Sequence, residues 1–177
     1  MRRRRRNDPE AWRQSRGPTG AFASVQRISL PYPAVEHSAA GARRLGGLYW
    51  HELVRSTFGL VRAQVCSNAI ELRLLGRGPA LLRFGREEPT VTSDSVACRY
   101  PILGGLLART AGGSISFTQT AEHPVEVRSE IDGFVPRLAT RRVRRGWSGV
   151  LYPQVQTRLH VAFGRRYFAR LRTEAAR

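Results

Sequence analysis

Histidine, cysteine and the carboxylates are the side chains through which this chain could do acid–base, nucleophilic or metal chemistry. The four histidines are His37, His51, His123 and His160. No two of them stand at a metal-ligand spacing. Cys66 and Cys98 are thirty-two positions apart and form no CxxC pair, so a structural zinc site is not expected. Both lie in apolar, alternating stretches and read as buried small hydrophobes; a disulfide between neighbouring strands is the other arrangement. His51 and Glu52 are a candidate acid–base pair, but adjacent residues on a helix point apart. Glu126, Glu130 and Asp132 share the charged face of one strand pattern and read as solvated. Nothing resembles a catalytic carboxylate pair, a nucleophile elbow or a Cys–His arrangement. The expectation is a protein with no catalytic residue, no metal and no cofactor.

Two other features bear on ligands. Residues 101–113 read PILGGLLARTAGG, with glycine pairs on both sides of Leu106, Leu107 and Arg109. The segment lacks GxGxxG and GxxxxGK[ST], so it does not read as a phosphate loop. It fits an inter-strand loop that packs its leucines on the core, or an apolar lid hinged at glycines. The second feature is arginine. All thirty basic residues are Arg, and the net charge is +17. The excess is confined to the ends: residues 1–45 hold ten Arg and three acids, residues 46–136 nine of each, and residues 137–177 eleven Arg and the single acid Glu174. The absence of lysine fits codon bias, yet such a surplus attracts polyanions whatever its origin. Arg137, Arg141, Arg142, Arg144 and Arg145 precede Trp147, an arrangement suited to phosphate contacts and base stacking. About five phosphate contacts would give a log–log salt slope near −4.

The elements must come from the neutral middle. At 177 residues the chain fits one domain with a tail. Residues 1–20 are basic and polar without periodic apolar residues, and are expected to be a disordered extension. Residues 21–177 are expected to form a single α+β domain. No apolar run approaches the ~20 residues of a membrane helix. No hydrophobic stretch follows the basic start, so a secretory signal is not expected and a cytoplasmic location is the default.

Val25, Ile28 and Leu30 suggest a first strand, ended by Pro31-Tyr32-Pro33. Two short helices are expected next, over residues 34–44 and 48–58, separated by Gly46-Gly47. In the second, Leu48, Trp50, Leu53, Val54 and Phe58 recur at helical steps. From Leu60 the period becomes two. Val61, Ala63 and Val65 alternate with polar residues, as do Ile70, Leu72 and Leu74. Leu82 and Phe84 follow, then Val96, Cys98, Tyr100 and Ile102, then Ile115 and Phe117, then Val125, Val127 and Ile131. Each run has one apolar and one polar face, the mark of antiparallel strands with a solvated side. Pro153 suits a helix start. Tyr152, Val155, Leu159, Phe163, Tyr167 and Leu171 then recur at steps of three and four, giving a long amphipathic helix. Gly164 within it weakens the helix or permits a close approach.

A curved antiparallel sheet of about six to seven strands on a long C-terminal helix is therefore expected. The element order resembles the helix-grip layout of START-like and Bet v 1-like domains, a group that includes polyketide cyclases and lipid carriers. The resemblance spans roughly residues 24–174 and rests on element order and the last helix. A lipocalin-like barrel with a trailing helix is the alternative. The resemblance implies an apolar cavity between sheet and helix, lined by Tyr100, Phe117, Leu159, Phe163 and Tyr167, with His160 or Tyr167 orienting a polar group of the ligand. The function it implies is binding or carrying an apolar small molecule or lipid. The second expectation is a polyanion partner, nucleic acid or an anionic membrane surface, held by residues 137–145.

Overall fold

In the two-residue alternation of residues 61–134, every second side chain turns to one side, and pairing such strands buries that side. The computed structural model describes residues 11–17, 20–137 and 163–176. Among them are nine strands: β1 Ala11–Arg16, β2 Phe22–Leu30, β3 Val61–Cys66, β4 Ala69–Leu74, β5 Ala80–Gly85, β6 Glu88–Val91, β7 Ser95–Gly104, β8 Ser114–Thr120 and β9 Val125–Phe134. Helix α1 spans Ala39–Ser56 and helix α2 residues 163–175. The strands form one antiparallel sheet in the order β1-β2-β9-β8-β7-β5-β4-β3, with β6 beside the first half of β7. The path runs from β1 to β3 and does not close, so the fold is α+β with an open sheet rather than a barrel.

The strand count exceeds the six to seven expected. The polar segment Ala11–Arg16, expected within a disordered extension, is β1, paired along its length with β2. Its pairing partner lies in another segment, so its own composition carries no strand signal. The short β6 was hidden by Pro89, which demotes a strand in any sequence reading. Residues 1–10 lie outside the described residues.

The two expected short helices are one helix of 18 residues. The Gly41 N–H donates to Ser38 Oγ at 3.1 Å, capping its start. Gly46-Gly47 is not a break, because packing overrides propensity there. A Cβ on Gly46 would lie 2.2 Å from the Tyr100 hydroxyl, so only glycine lets β7 approach. The far end closes with the Gly59 N–H on the Val54 carbonyl (3.0 Å) and the Phe58 N–H on the Arg55 carbonyl (3.2 Å). That pairing is a Schellman motif, whose left-handed position normally holds glycine. Here it holds Phe58, at φ 53°. Leu75, also at φ 53°, occupies a similar place in the β4–β5 turn, followed by Gly76 at φ 72°. Such a conformation costs a bulky residue about 1–2 kcal/mol.

Ala42, Leu45, Tyr49, Trp50 and Leu53 form the buried face of α1. It packs on β7 and β8 together with Tyr167, Phe168 and Leu171 of α2, so both helices cover one face of the sheet. Glu174, the only acid after residue 136, joins the helices: Arg44 Nη2 reaches its carboxylate at 2.6 Å and Arg170 Nη2 at 2.7 Å. The opposite face of the sheet carries exposed ion pairs such as Arg99–Glu88, each worth about 0–1 kcal/mol.

Candidate aromatic and polar interior site

Three of the residues expected to line a cavity converge. Phe117 of β8 lies 6.3 Å from the Tyr100 ring of β7 and 5.5 Å from the Tyr167 ring of α2, centroid to centroid. Tyr100, Phe117 and Tyr167 are all buried, and Phe163, one turn earlier on α2, is half-buried. Leu159 and His160 lie outside the described residues. The sequence reading put Trp50 on the apolar stripe of a helix but not beside these rings, and it missed Tyr49; both join the cluster. Tyr49 stacks at 4.7 Å on Phe117 and 5.6 Å from Tyr167. Trp50 meets Phe84 at 4.8 Å and Tyr100 at 5.3 Å. The result is a continuous aromatic chain from β5 to α2. Reading residues 34–58 as two helices hid it, since only one continuous helix puts Leu45, Tyr49 and Leu53 on one stripe.

Polar groups are set into this apolar interior by the sheet register. Gln26 of β2 lies opposite Ser129 of β9, which lies opposite Phe117 of β8, which lies opposite Cys98 of β7. Ser24, Gln26 and Ser129 are all buried. The signal was available in sequence: Ile28 and Leu30 set the inward parity of β2, and the same parity turns Ser24 and Gln26 inward. Val25, which with Ile28 and Leu30 suggested this strand, sits out of parity with them and is half-buried.

The inward glutamines of the sheet have opposite surroundings. Gln119 is saturated: its Oε1 accepts from the Ala34 and Val35 N–H groups at 2.8 and 3.1 Å, and its Nε2 donates to the Val35 carbonyl at 2.8 Å. It ties the loop before α1 to the sheet. Gln26 is 2% exposed, yet among the described residues neither its Nε2 nor its Oε1 has a hydrogen-bond partner. Among the same residues the Tyr167 hydroxyl has none either. The Trp50 indole N–H faces the Tyr100 oxygen but makes no bond of ordinary geometry. A buried unpaired polar group costs about 1–3 kcal/mol, so three in one interior are an unusual concentration.

The low polarity acts on the phenols as well. Burial pushes the Tyr49, Tyr100 and Tyr167 hydroxyls well above their ordinary range. For Tyr100 the neighbouring Cys98 adds to the effect, and for Tyr167 the neighbouring Tyr49 does. Burial also raises Cys98, so its thiol is held protonated. These groups are hydrogen-bonding tips rather than acids, bases or nucleophiles at neutral pH.

Gly164 explains how α2 comes so close. A Cβ there would lie 1.9 Å from Gln26 Oε1 and 2.9 Å from its Cδ. The glycine permits close approach, one of the two readings its position allowed. Gly164→Ala gains helix propensity but drives a methyl into a buried amide. It is expected to lower stability by about 1–3 kcal/mol, measured by chemical denaturation. Adding Gln26→Ala should restore most of the loss; a neutral single variant would contradict the contact.

The remaining candidates do not join this site. His51 is exposed while Glu52 is buried, so they point apart as expected. His37 Nε2 is 2.6 Å from the Thr92 carbonyl. Among the described residues no cluster of His, Cys, Asp or Glu could hold a metal. Cys98 is buried, but Cys66 is exposed, correcting the expectation that both are core residues. It sits at the β3–β4 turn on a cleft of about 250 Å³ that also involves Arg86 and Glu87. Both thiols are free, so they are not joined.

The glycine-rich segment is tied down on both sides. The Leu106 and Leu107 N–H groups donate to the Ala80 and Leu81 carbonyls, and the Arg109 N–H to the Val135 carbonyl. Ala108 is buried whereas Leu103 and Leu106 are exposed, so these leucines do not fill the core. Arg137 is exposed, with its N–H on the Leu107 carbonyl. Arg141, Arg142, Arg144 and Arg145 lie outside the described residues. Among the described residues no helix is long and apolar enough to cross a membrane.

No protein-family model matches the chain. No curated protein matches it. Among solved structures it is similar to protein MLL2253 from Mesorhizobium loti, at 14% identity over 86% of this chain and 95% of that one, with a TM-score of 0.37. It is also similar to CalU16 from Micromonospora echinospora, at 11% identity over 94% of both chains, with a TM-score of 0.35.

Proposed function

We propose that this chain binds an apolar small molecule or lipid between the sheet and the C-terminal helix, as START-like and Bet v 1-like helix-grip domains do. The reading is supported by an open antiparallel sheet with its helices on one face and by the element order. The observation that carries it is Gln26, buried, unpaired at both ends among the described residues, and set against Gly164 in a largely apolar interior. Aromatic walls supply affinity, and a few polar tips fix orientation. Tyr100, Phe117, Phe163 and Tyr167 are the wall; Leu159 and His160, also expected there, lie outside the described residues. The Gln26 amide and the Tyr167 hydroxyl are the tips. Together they offer donors and an acceptor to one polar group on the ligand, such as a carboxyl. Nothing in this set performs chemistry, so the role is binding or carriage.

Gln26→Leu separates function from stability. It replaces an unpaired amide with an apolar side chain of similar size. The protein without ligand should gain about 1–3 kcal/mol of stability. Affinity for a fluorescent fatty acid should fall by about tenfold, the loss of one hydrogen bond to a charged group. Binding should persist in about 0.5 M salt, where purely electrostatic attraction is screened. Unchanged affinity, or a loss of stability, would count against the reading. Binding that salt abolishes would favour the polyanion alternative.

A further inference from the structure

Five of the nine exposed large apolar side chains among the described residues gather at one end of the sheet: Phe58, Leu60, Leu74, Leu75 and Leu106. The backbone puts them together. Val61 pairs with Leu74, and the Leu75 N–H donates to the Leu60 carbonyl at 2.6 Å. Ala80, the first residue after the β4–β5 turn to pair, lies opposite Arg73 and accepts from the Leu106 N–H at 3.0 Å. The α1–β3 corner, the β4–β5 turn and residues 105–109 thus form one apolar tip. Phe58, 88% exposed, is its most prominent side chain.

The two turns are built against their own preference. Phe58 and Leu75 sit in the left-handed region, at positions that glycine or asparagine would occupy without strain. Each therefore projects a large apolar group to solvent from a strained backbone. Strain of this kind concentrates at sites of function. A basic rim surrounds the tip. Arg55 in the last turn of α1, Arg62 near the start of β3 and Arg77 in the β4–β5 turn are exposed, and Arg166 of α2 reaches Ser56 Oγ at 3.5 Å. The only carboxylate from residue 53 to residue 86 is Glu71, already held by Arg73 and Arg83.

We infer that this tip docks on an anionic lipid bilayer, Phe58 and Leu75 entering the interface while the arginines meet phosphate headgroups. Apolar anchors inside a basic rim are what such a surface selects. A second copy of the chain fits poorly, because a symmetric contact would bring two positive rims together. The inference stands apart from any interior ligand, though it would place a carrier where lipids are found.

The test uses the full chain and phosphatidylcholine vesicles with and without phosphatidylglycerol, read by co-sedimentation. The doubly substituted Phe58→Gly/Leu75→Asn chain keeps every arginine and relieves both strained turns. Wild type is expected to bind the anionic vesicles and not the neutral ones. The double variant is expected to bind at least about tenfold more weakly, since two large side chains no longer enter the interface. Its melting temperature should be equal or higher, which excludes misfolding as the cause. Equal vesicle binding by both proteins would overturn the inference. So would no binding by wild type, or a wild-type dimer in sedimentation equilibrium that the substitutions dissolve.

Discussion

Truncating Phe117 to alanine lowers the unfolding free energy by about 3–5 kcal/mol, the range for deleting a buried aromatic side chain. The upper part of that range is expected. Phe117 is fully buried and touches the rings of Tyr49, Tyr100 and Tyr167, which belong to α1, β7 and α2. Rigid rings from three elements cannot collapse into the space as aliphatic chains would. Because Phe117 is where both helices meet the sheet, its loss should also weaken the docking of α2. Chemical denaturation measures the first effect, and hydrogen exchange of α2 amides the second. A loss below about 1 kcal/mol would mean that the rings do not pack as one unit.

The legible part of this fold was the part written in local periodicity. The alternation from Val61 to Ile131 placed six strands, and Ile28 with Leu30 placed β2. The spacing of Phe163, Tyr167 and Leu171 placed the last helix, whose residues 163–175 are helical. The resemblance in element order, not the spacing, grouped Tyr167 with Tyr100 and Phe117. What stayed hidden depends on partners distant in sequence. The polar β1 exists because β2 offers an edge. Gly46 looks like a helix break until Tyr100 is known to lie against it. Gln26 was overlooked because its polarity argues for solvent, although strand parity argues for the interior. Cys66 lies in an apolar stretch but shares the parity of Arg62 and Gln64 on the edge strand β3, and it is exposed. The candidate site was therefore half legible: the resemblance grouped Tyr100, Phe117 and Tyr167 and offered Tyr167 as a polar tip, whereas the buried Gln26 amide was missed.

Alkaline pH is expected to unfold the protein steeply. Burial raises the hydroxyl pKa values of Tyr49, Tyr100 and Tyr167 above the ordinary value of 10.0. In the unfolded chain the same phenols ionise near that ordinary value. Above pH 10 the native state therefore holds protons that the unfolded state has released, and stability falls as pH rises. The contribution is intact below the unfolded value and is lost progressively toward the raised folded values. Three such groups give about 4 kcal/mol per pH unit. A stability of about 5–15 kcal/mol would be exhausted within a few pH units. Cys98, raised from 9.0 mainly by burial, begins the same trend slightly earlier. Tyrosinate absorbance and circular dichroism recorded together test this. The buried tyrosines should ionise in step with unfolding; ionisation near pH 10 with the fold intact would contradict their burial.

The most direct test of the interior site is mass spectrometry on an organic extract of the full chain, purified through a high-salt wash. The account predicts one apolar molecule with a single polar group, near stoichiometric in wild type and depleted in Gln26→Leu. An empty wild-type extract, with nucleic acid accompanying the protein only at low salt, would contradict it and leave the arginine-rich segment as the functional surface.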